Sequence, residues 1–149
     1  GSIVKPLTMA AAIDAGVVTP ETTYNDTGTL TLNGKKISNF DGKARGVISM
    51  QEVLSQSLNI GAVFAEQKLG SEAFRTYFKA YGLGEKTGIQ LPGEIGGLVK
   101  NLDSPREVEL ATASFGQGIA VTTIELTRAL STLANGGLLM EPPMVERIL

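Results

Sequence analysis

The sequence predicts a mainly α chain with a single small β-hairpin. Three observations carry that prediction. Ser49…Glu52, Ser104…Glu107 and Thr122…Glu125 each match the capping box, in which two side chains satisfy two orphan N–H groups at a helix start. Gly70, Gly82 and Gly136 stand where the following helical patterns should stop. Thr29-Leu30-Thr31-Leu32 alternates with period two and runs into Asn33-Gly34, the strongest short-range hairpin signal, because both turn residues need positive φ.

In chain order, Val4 to Ala15 is apolar and alanine-rich and reads as a helix stopped by Gly16. Pro6 lies in its first turn, where a missing N–H costs little. Thr19-Pro20-Glu21 begins a turn, and the hairpin around Asn33-Gly34 returns through Lys35-Lys36-Ile37. Helices are expected near 50–57, 60–69, 72–81, 105–114 and 123–135, with Pro105 at the first position of its helix. Gly84 to Asn101 is punctuated by Gly and Pro and should be mostly loop. There is no internal repeat and no linker that would split residues 1–149 into two domains.

Composition excludes several functions. With 42% hydrophobic and 19% charged residues, the 149-residue chain can build one ordinary core. A net charge of −2 without a Lys/Arg cluster gives no nucleic-acid face. Histidine and cysteine are both absent, which removes imidazole catalysis, disulfides and most zinc sites. The glycines form no strand–loop–helix phosphate cradle, so no cofactor is expected. No apolar run approaches ~18 residues, so neither a span nor a signal sequence is read here. Asp26, Asp41, Glu94 and Asp103 are scattered in turns, where solvated or Asx-turn roles are expected. Met140 and Met144, near Pro142-Pro143, read as filling and tail.

Chemistry concentrates at Ser2-Ile3-Val4-Lys5 and Ser57-Leu58-Asn59. A serine and a lysine three apart share one helical face. A desolvated lysine can lose its charge and take the serine's proton. A second serine and an asparagine can relay that proton and hold a substrate amide. Each residue also has a plainer reading: Ser2 as an N-cap, Lys5 as a solvated charge, Ser57 and Asn59 as caps of the next helix. Gly1-Ser2 alone could be a cloning scar, but its spacing to Lys5-Pro6 argues for native residues.

The flanking residues weigh against the plainer readings. Gly1-Ser2-Ile3-Val4-Lys5-Pro6, Ser55-Gln56-Ser57-Leu58-Asn59, Gly82-Leu83-Gly84 with Thr87-Gly88-Ile89-Gln90-Leu91-Pro92-Gly93-Glu94, Ala113-Ser114-Phe115-Gly116-Gln117-Gly118 and Leu133-Ala134-Asn135-Gly136-Gly137 follow one another along nearly the whole chain. Together they resemble the class B penicillin-binding proteins, the peptidoglycan D,D-transpeptidases whose motifs are S-x-x-K, S-x-N and K-T-G. The resemblance implies Ser2 as nucleophile, Lys5 as general base, Ser57 as proton relay and Asn59 as substrate contact, with Gln117 supporting the floor of the site. Thr123 departs from the family's proline but still suits a helix start.

By the same resemblance, Lys86-Thr87-Gly88 is a decoy. It lies in a surface connection, and should be exposed and remote from Ser2. The functional K-T-G and the central five-stranded sheet are expected outside residues 1–149. This piece then represents the helical subdomain of the β-lactamase/transpeptidase-like fold, inactive alone. The implied partners are peptidoglycan stem peptides, β-lactam antibiotics and other cell-wall synthesis proteins, on the extracytoplasmic face of a bacterial membrane. A D,D-carboxypeptidase or β-lactamase is the alternative enzyme, disfavoured by the absence of an E-x-x-L-N segment and by Asn59 where one branch has valine. A non-catalytic helical scaffold is the alternative outside enzymes.

Overall fold

A computed structural model describes residues 1–144. A 3-10 turn, Ser2–Val4, leads directly into α1 (Lys5–Asp14). Four short strands follow: β1 (Thr23–Asp26), β2 (Thr29–Leu32), β3 (Lys35–Ser38) and β4 (Gly46–Ser49). Then come α2 (Met50–Ser55), α3 (Asn59–Leu69) and α4 (Ser71–Ala80), a 3-10 turn at Lys100–Asp103, α5 (Glu107–Ala113) and α6 (Thr123–Ser131). The chain is mainly helical, as its sequence predicts.

The β2–β3 hairpin turns at Asn33 and Gly34, with φ of 47° and 75°, both positive as the turn requires. A second antiparallel pair was not expected. β1 pairs with β4, from Thr23 opposite Ser49 to Asp26 opposite Gly46, and so encloses the hairpin. Burial in β1 alternates, with Tyr24 and Asp26 inward, but one of these is charged, so the sequence shows no apolar alternation there. The described residues thus hold two two-stranded pairs and no five-stranded sheet.

Two of the three capping boxes form, at Ser49 with Glu52 and at Thr122 with Glu125. The third does not. Ser104 Oγ accepts from Arg106 N–H at 3.1 Å instead, the helix begins at Glu107 with Arg106 as its cap, and Pro105 lies outside it. Asp26 also departs from expectation: it is 1% exposed and bonded to Asn39 rather than solvated.

The core has two parts. Met9 and Ala12 of α1 pack with Ile48, Val53, Leu58, Val63, Val108 and Phe115. Val4 of the 3-10 turn and Leu7 and Ala11 of α1 pack with Phe74, Phe78, Leu83, Leu102, Leu110 and Ala129. α1 and α5 therefore form the wall common to both halves, which places the first turn of α1 deep in the molecule. No helix among the described residues is long and apolar enough to cross a membrane.

Candidate active site

α1 opens with Lys5 and Pro6 in its first two positions, and Val4 N–H donates to Gly1 O at 3.0 Å across the preceding 3-10 turn. This puts Ser2 and Lys5 on one face. The Lys5 side chain points inward and is 2% exposed. Its Nζ donates to Ser2 Oγ at 3.1 Å, to Ser57 Oγ at 3.0 Å and to the Ser57 carbonyl at 2.6 Å. None of these acceptors is charged. Burial of the ammonium without a carboxylate lowers the Lys5 pKa from 10.5 to about 8.

Ser57 reaches Lys5 because of how α2 ends. Ser57 N–H donates to Leu54 O at 3.2 Å and Leu58 N–H to Val53 O at 2.9 Å, a Schellman-type ending. The residue at its turn must be left-handed, and Ser57 has φ of 54°. Glycine is usual there; a serine costs about 1 kcal/mol or more. In exchange, carbonyl and hydroxyl of one residue face the same ammonium. Strain of this kind is common where function over-determines the backbone.

Ser2, Lys5 and Ser57 are thus brought together. Asn59 is not part of that cluster: it occupies the first position of α3, and its Nδ2 donates to Ser38 O at 2.8 Å. Lys86 is exposed and makes no hydrogen bond to Ser2 or Ser57. Its neighbour Thr87, however, is 1% exposed, contrary to expectation. The Glu94 carboxylate accepts from Thr87 N–H and Oγ1, each at 2.6 Å, and from Gly88 N–H at 3.3 Å. That pairing explains the T-G and P-G-E of the segment physically: they close one loop.

Gly116 packs against the chain end that carries Ser2. Gln117 is exposed, whereas Gly116 (φ 79°) lies so close to Gly1 that a Cβ would collide with the Gly1 carbonyl oxygen. The same segment is tied to α1 by Thr8 Oγ1 donating to Ser114 O at 2.7 Å. Gly116→Ala should therefore displace Gly1 and Ser2 and slow any acylation of Ser2 by about 10–100-fold. A second-order acylation rate measured beside thermal unfolding checks this. An unchanged rate in a folded variant refutes it.

A cavity of about 580 Å³ lies elsewhere, between Ala10, Ile13, Tyr77, Tyr81 and Leu133, and is lined by none of Ser2, Lys5, Ser57 or Asn59. Comparison with known proteins takes the assignment further. A family model described as the penicillin binding protein transpeptidase domain matches residues 1–149. The chain belongs to this family. Stage V sporulation protein D of Bacillus subtilis is 36% identical over 143 residues, covering 95% of this chain and 22% of the relative. Peptidoglycan D,D-transpeptidase FtsI of Escherichia coli is 32% identical over 138 residues, covering 93% of this chain and 23% of the relative. The chain thus spans less than a quarter of these transpeptidase relatives.

Solved structures agree in fold. The transpeptidase domain of penicillin-binding protein 3 from Burkholderia pseudomallei superposes with a TM-score of 0.90 at 30% identity, covering 99% of this chain and 44% of that one. Penicillin-binding protein 3 of Mycobacterium tuberculosis, solved with aztreonam, gives 0.89 at 28% identity, covering 98% and 33%. The chain therefore has the fold of part of a penicillin-binding transpeptidase domain.

Proposed function

We propose that this chain supplies the acylation residues of a serine D,D-transpeptidase that cross-links peptidoglycan. One observation carries the reading: a buried lysine whose three partners are all neutral, two of them hydroxyls. With a pKa of about 8, about one Lys5 in ten is neutral at pH 7. The Ser57 carbonyl only accepts, so it keeps one N–H of the neutral amine. The lone pair is then available to the Ser2 hydroxyl.

Ser2 Oγ attacks the carbonyl carbon of the penultimate D-Ala of a stem peptide while its proton passes to Lys5. The C–N bond to the terminal D-Ala breaks, and Ser57 relays the proton from Lys5 to the departing nitrogen. An amine from a neighbouring strand then attacks the ester, displaces Ser2 Oγ and returns a proton to it. Asn59 contacts the acyl substrate's amide. A β-lactam opens on the same serine, consistent with the aztreonam complex of the Mycobacterium tuberculosis protein. Peptidoglycan lies outside the cytoplasmic membrane, so the reaction belongs on its extracytoplasmic face, beside other cell-wall synthesis proteins.

None of the described strands carries K-T-G, so a second oxyanion N–H from such a strand is not supplied within the described residues. The 149 residues alone should acylate slowly. The test is a fluorescent penicillin added to the full-length protein, with the adduct located by peptide mass. An adduct on Ser2 is expected. An adduct on another residue, or none, overturns the assignment.

A further inference from the structure

α3 begins at Asn59 after Leu58, a cap residue with no side-chain oxygen, so the buried N–H of Ile60 needs an acceptor from another element. Asn39 supplies it, its Oδ1 accepting from Ile60 N–H at 3.2 Å. The other end of that amide is held by Asp26: Nδ2 donates to Oδ1 at 3.0 Å and to Oδ2 at 2.9 Å. Asp26 Oδ1 also accepts from Gly28 N–H at 3.2 Å. Asp26 and Asn39 are 1% and 2% exposed. A carboxylate only accepts and a backbone N–H only donates, so this chemistry fixes which way the Asn39 amide points.

The preceding residue adds a second grip, the Ser38 carbonyl that accepts from Asn59 Nδ2. Residues 38 and 39 therefore hold both of the first two residues of α3. Two residues before Asn59 stands Ser57, in a left-handed conformation that persists only if its surroundings over-determine it. The Schellman-type ending of α2 restrains Ser57 from one side. On the other side, Ala62 N–H donates to Leu58 O at 3.4 Å within the helix, and Asn39 and Ser38 hold its first two residues from outside.

The geometry points to Asn39, braced by Asp26, as a positioning residue that fixes Ser57 against Lys5 by capping α3 from outside the helix. Its effect on rate rests on the acyl-enzyme reading above, but its effect on Lys5 does not. A loosened Ser57 admits water to the Lys5 ammonium whatever the reaction is.

Two readouts in the full-length protein test this: the Lys5 titration midpoint, followed by NMR at its labelled Cε, and the rate of acylation by a fluorescent penicillin. Asn39→Ala should raise the midpoint by about one unit and slow acylation about 10–100-fold. Asn39→Asp keeps the acceptor for Ile60 but sets a second carboxylate against Asp26. It should slow acylation, because two buried carboxylates then face each other without the Nδ2 donor between them. Tyr24 and Arg45 are the other ionisable groups facing Asp26 and are unchanged in these variants.

The double variant Asp26→Asn with Asn39→Asp restores donor opposite acceptor. It should return both readouts to within about threefold of the parent. A folded Asn39→Ala with an unmoved Lys5 midpoint overturns the proposal. So does a double variant no better than Asn39→Asp alone, which decides the matter if Asn39→Ala does not fold. A parent that forms no Ser2 adduct overturns the acyl-enzyme reading instead, and the Lys5 midpoint still decides the role of Asn39.

Discussion

Lys5→Met is expected to slow acylation of Ser2 by about 10²–10⁴-fold, the usual range for a lost general base, while making the protein harder to unfold at pH 7. The second half follows from burial. Lys5 is 2% exposed and its pKa falls from 10.5 to about 8 on folding. Between those values the unfolded state binds more protons than the folded one, so stability rises with pH through that window. Below about pH 8 the full burial cost is present. A shift of this size corresponds to about 3 kcal/mol as an upper bound. Methionine fills similar space without that cost but leaves the Ser57 carbonyl unpaired, so a net gain of about 1–2 kcal/mol is expected. Urea unfolding of parent and variant at pH 7 and pH 10 reads it directly. The variant should be the more stable at pH 7, and the gap should close at pH 10. Equal pH slopes, or a variant weaker at pH 7, would show that Lys5 is not held against its charge.

The site is thus assembled at a cost in stability. An ammonium is buried among neutral oxygens, and a serine occupies a turn position that favours glycine. Both costs fall on residues that touch Lys5. They are borne by the apolar packing of α1 on both its faces, where Met9 and Ala12 enter one half of the core and Leu7 and Ala11 the other.

How much of this was legible depended on how local the cause was. The Asn33-Gly34 turn and the caps at Ser49 and Thr122 are set within a few residues, and the sequence shows them. The cap at Ser104 failed because Arg106, two residues on, is still extended, so the spacing was right without the geometry. The β1–β4 pair joins residues twenty or more apart, and one of the two inward residues of β1 is the charged Asp26, so no local apolar pattern marks it. At the site, spacing paired Ser2 with Lys5 and the family resemblance added Ser57, but nothing in the letters shows that Lys5 is buried or that the Ser57 carbonyl faces it. Asn39 and Asp26 were missed for the same reason. Their partners are fixed by tertiary contact, and Asp26 reads in sequence as one more turn carboxylate.

Glu125 gives the largest expected loss of stability, and it shows how a local motif can carry a tertiary load. Its sequence role is the capping box, and Oε2 does accept from Thr122 N–H at 2.6 Å. Oε1 meanwhile accepts from Gly84 N–H at 2.8 Å and Gly97 N–H at 3.0 Å, groups that lie about forty and thirty residues away in the chain. The side chain has no exposed surface, so this carboxylate pins two distant loop segments to the start of α6. Burial acts to raise its pKa, and the N–H groups of Thr122, Gly97 and Gly84 outweigh that, holding it below 4.5. Its stabilisation is therefore present above pH 4.5 and is lost as pH falls through the lower folded value. Glu125→Ala leaves three backbone N–H groups unpaired around a void and should cost about 3–5 kcal/mol. Glu125→Gln keeps the shape but turns one acceptor into a donor facing an N–H, and should cost about 1–3 kcal/mol. Denaturant unfolding at pH 7 should rank parent above Glu125→Gln above Glu125→Ala, with the differences narrowing below pH 4. If Glu125→Ala were within about 0.5 kcal/mol of the parent, the three N–H groups would have to find other partners, and the G-L-G segment would not be held from α6.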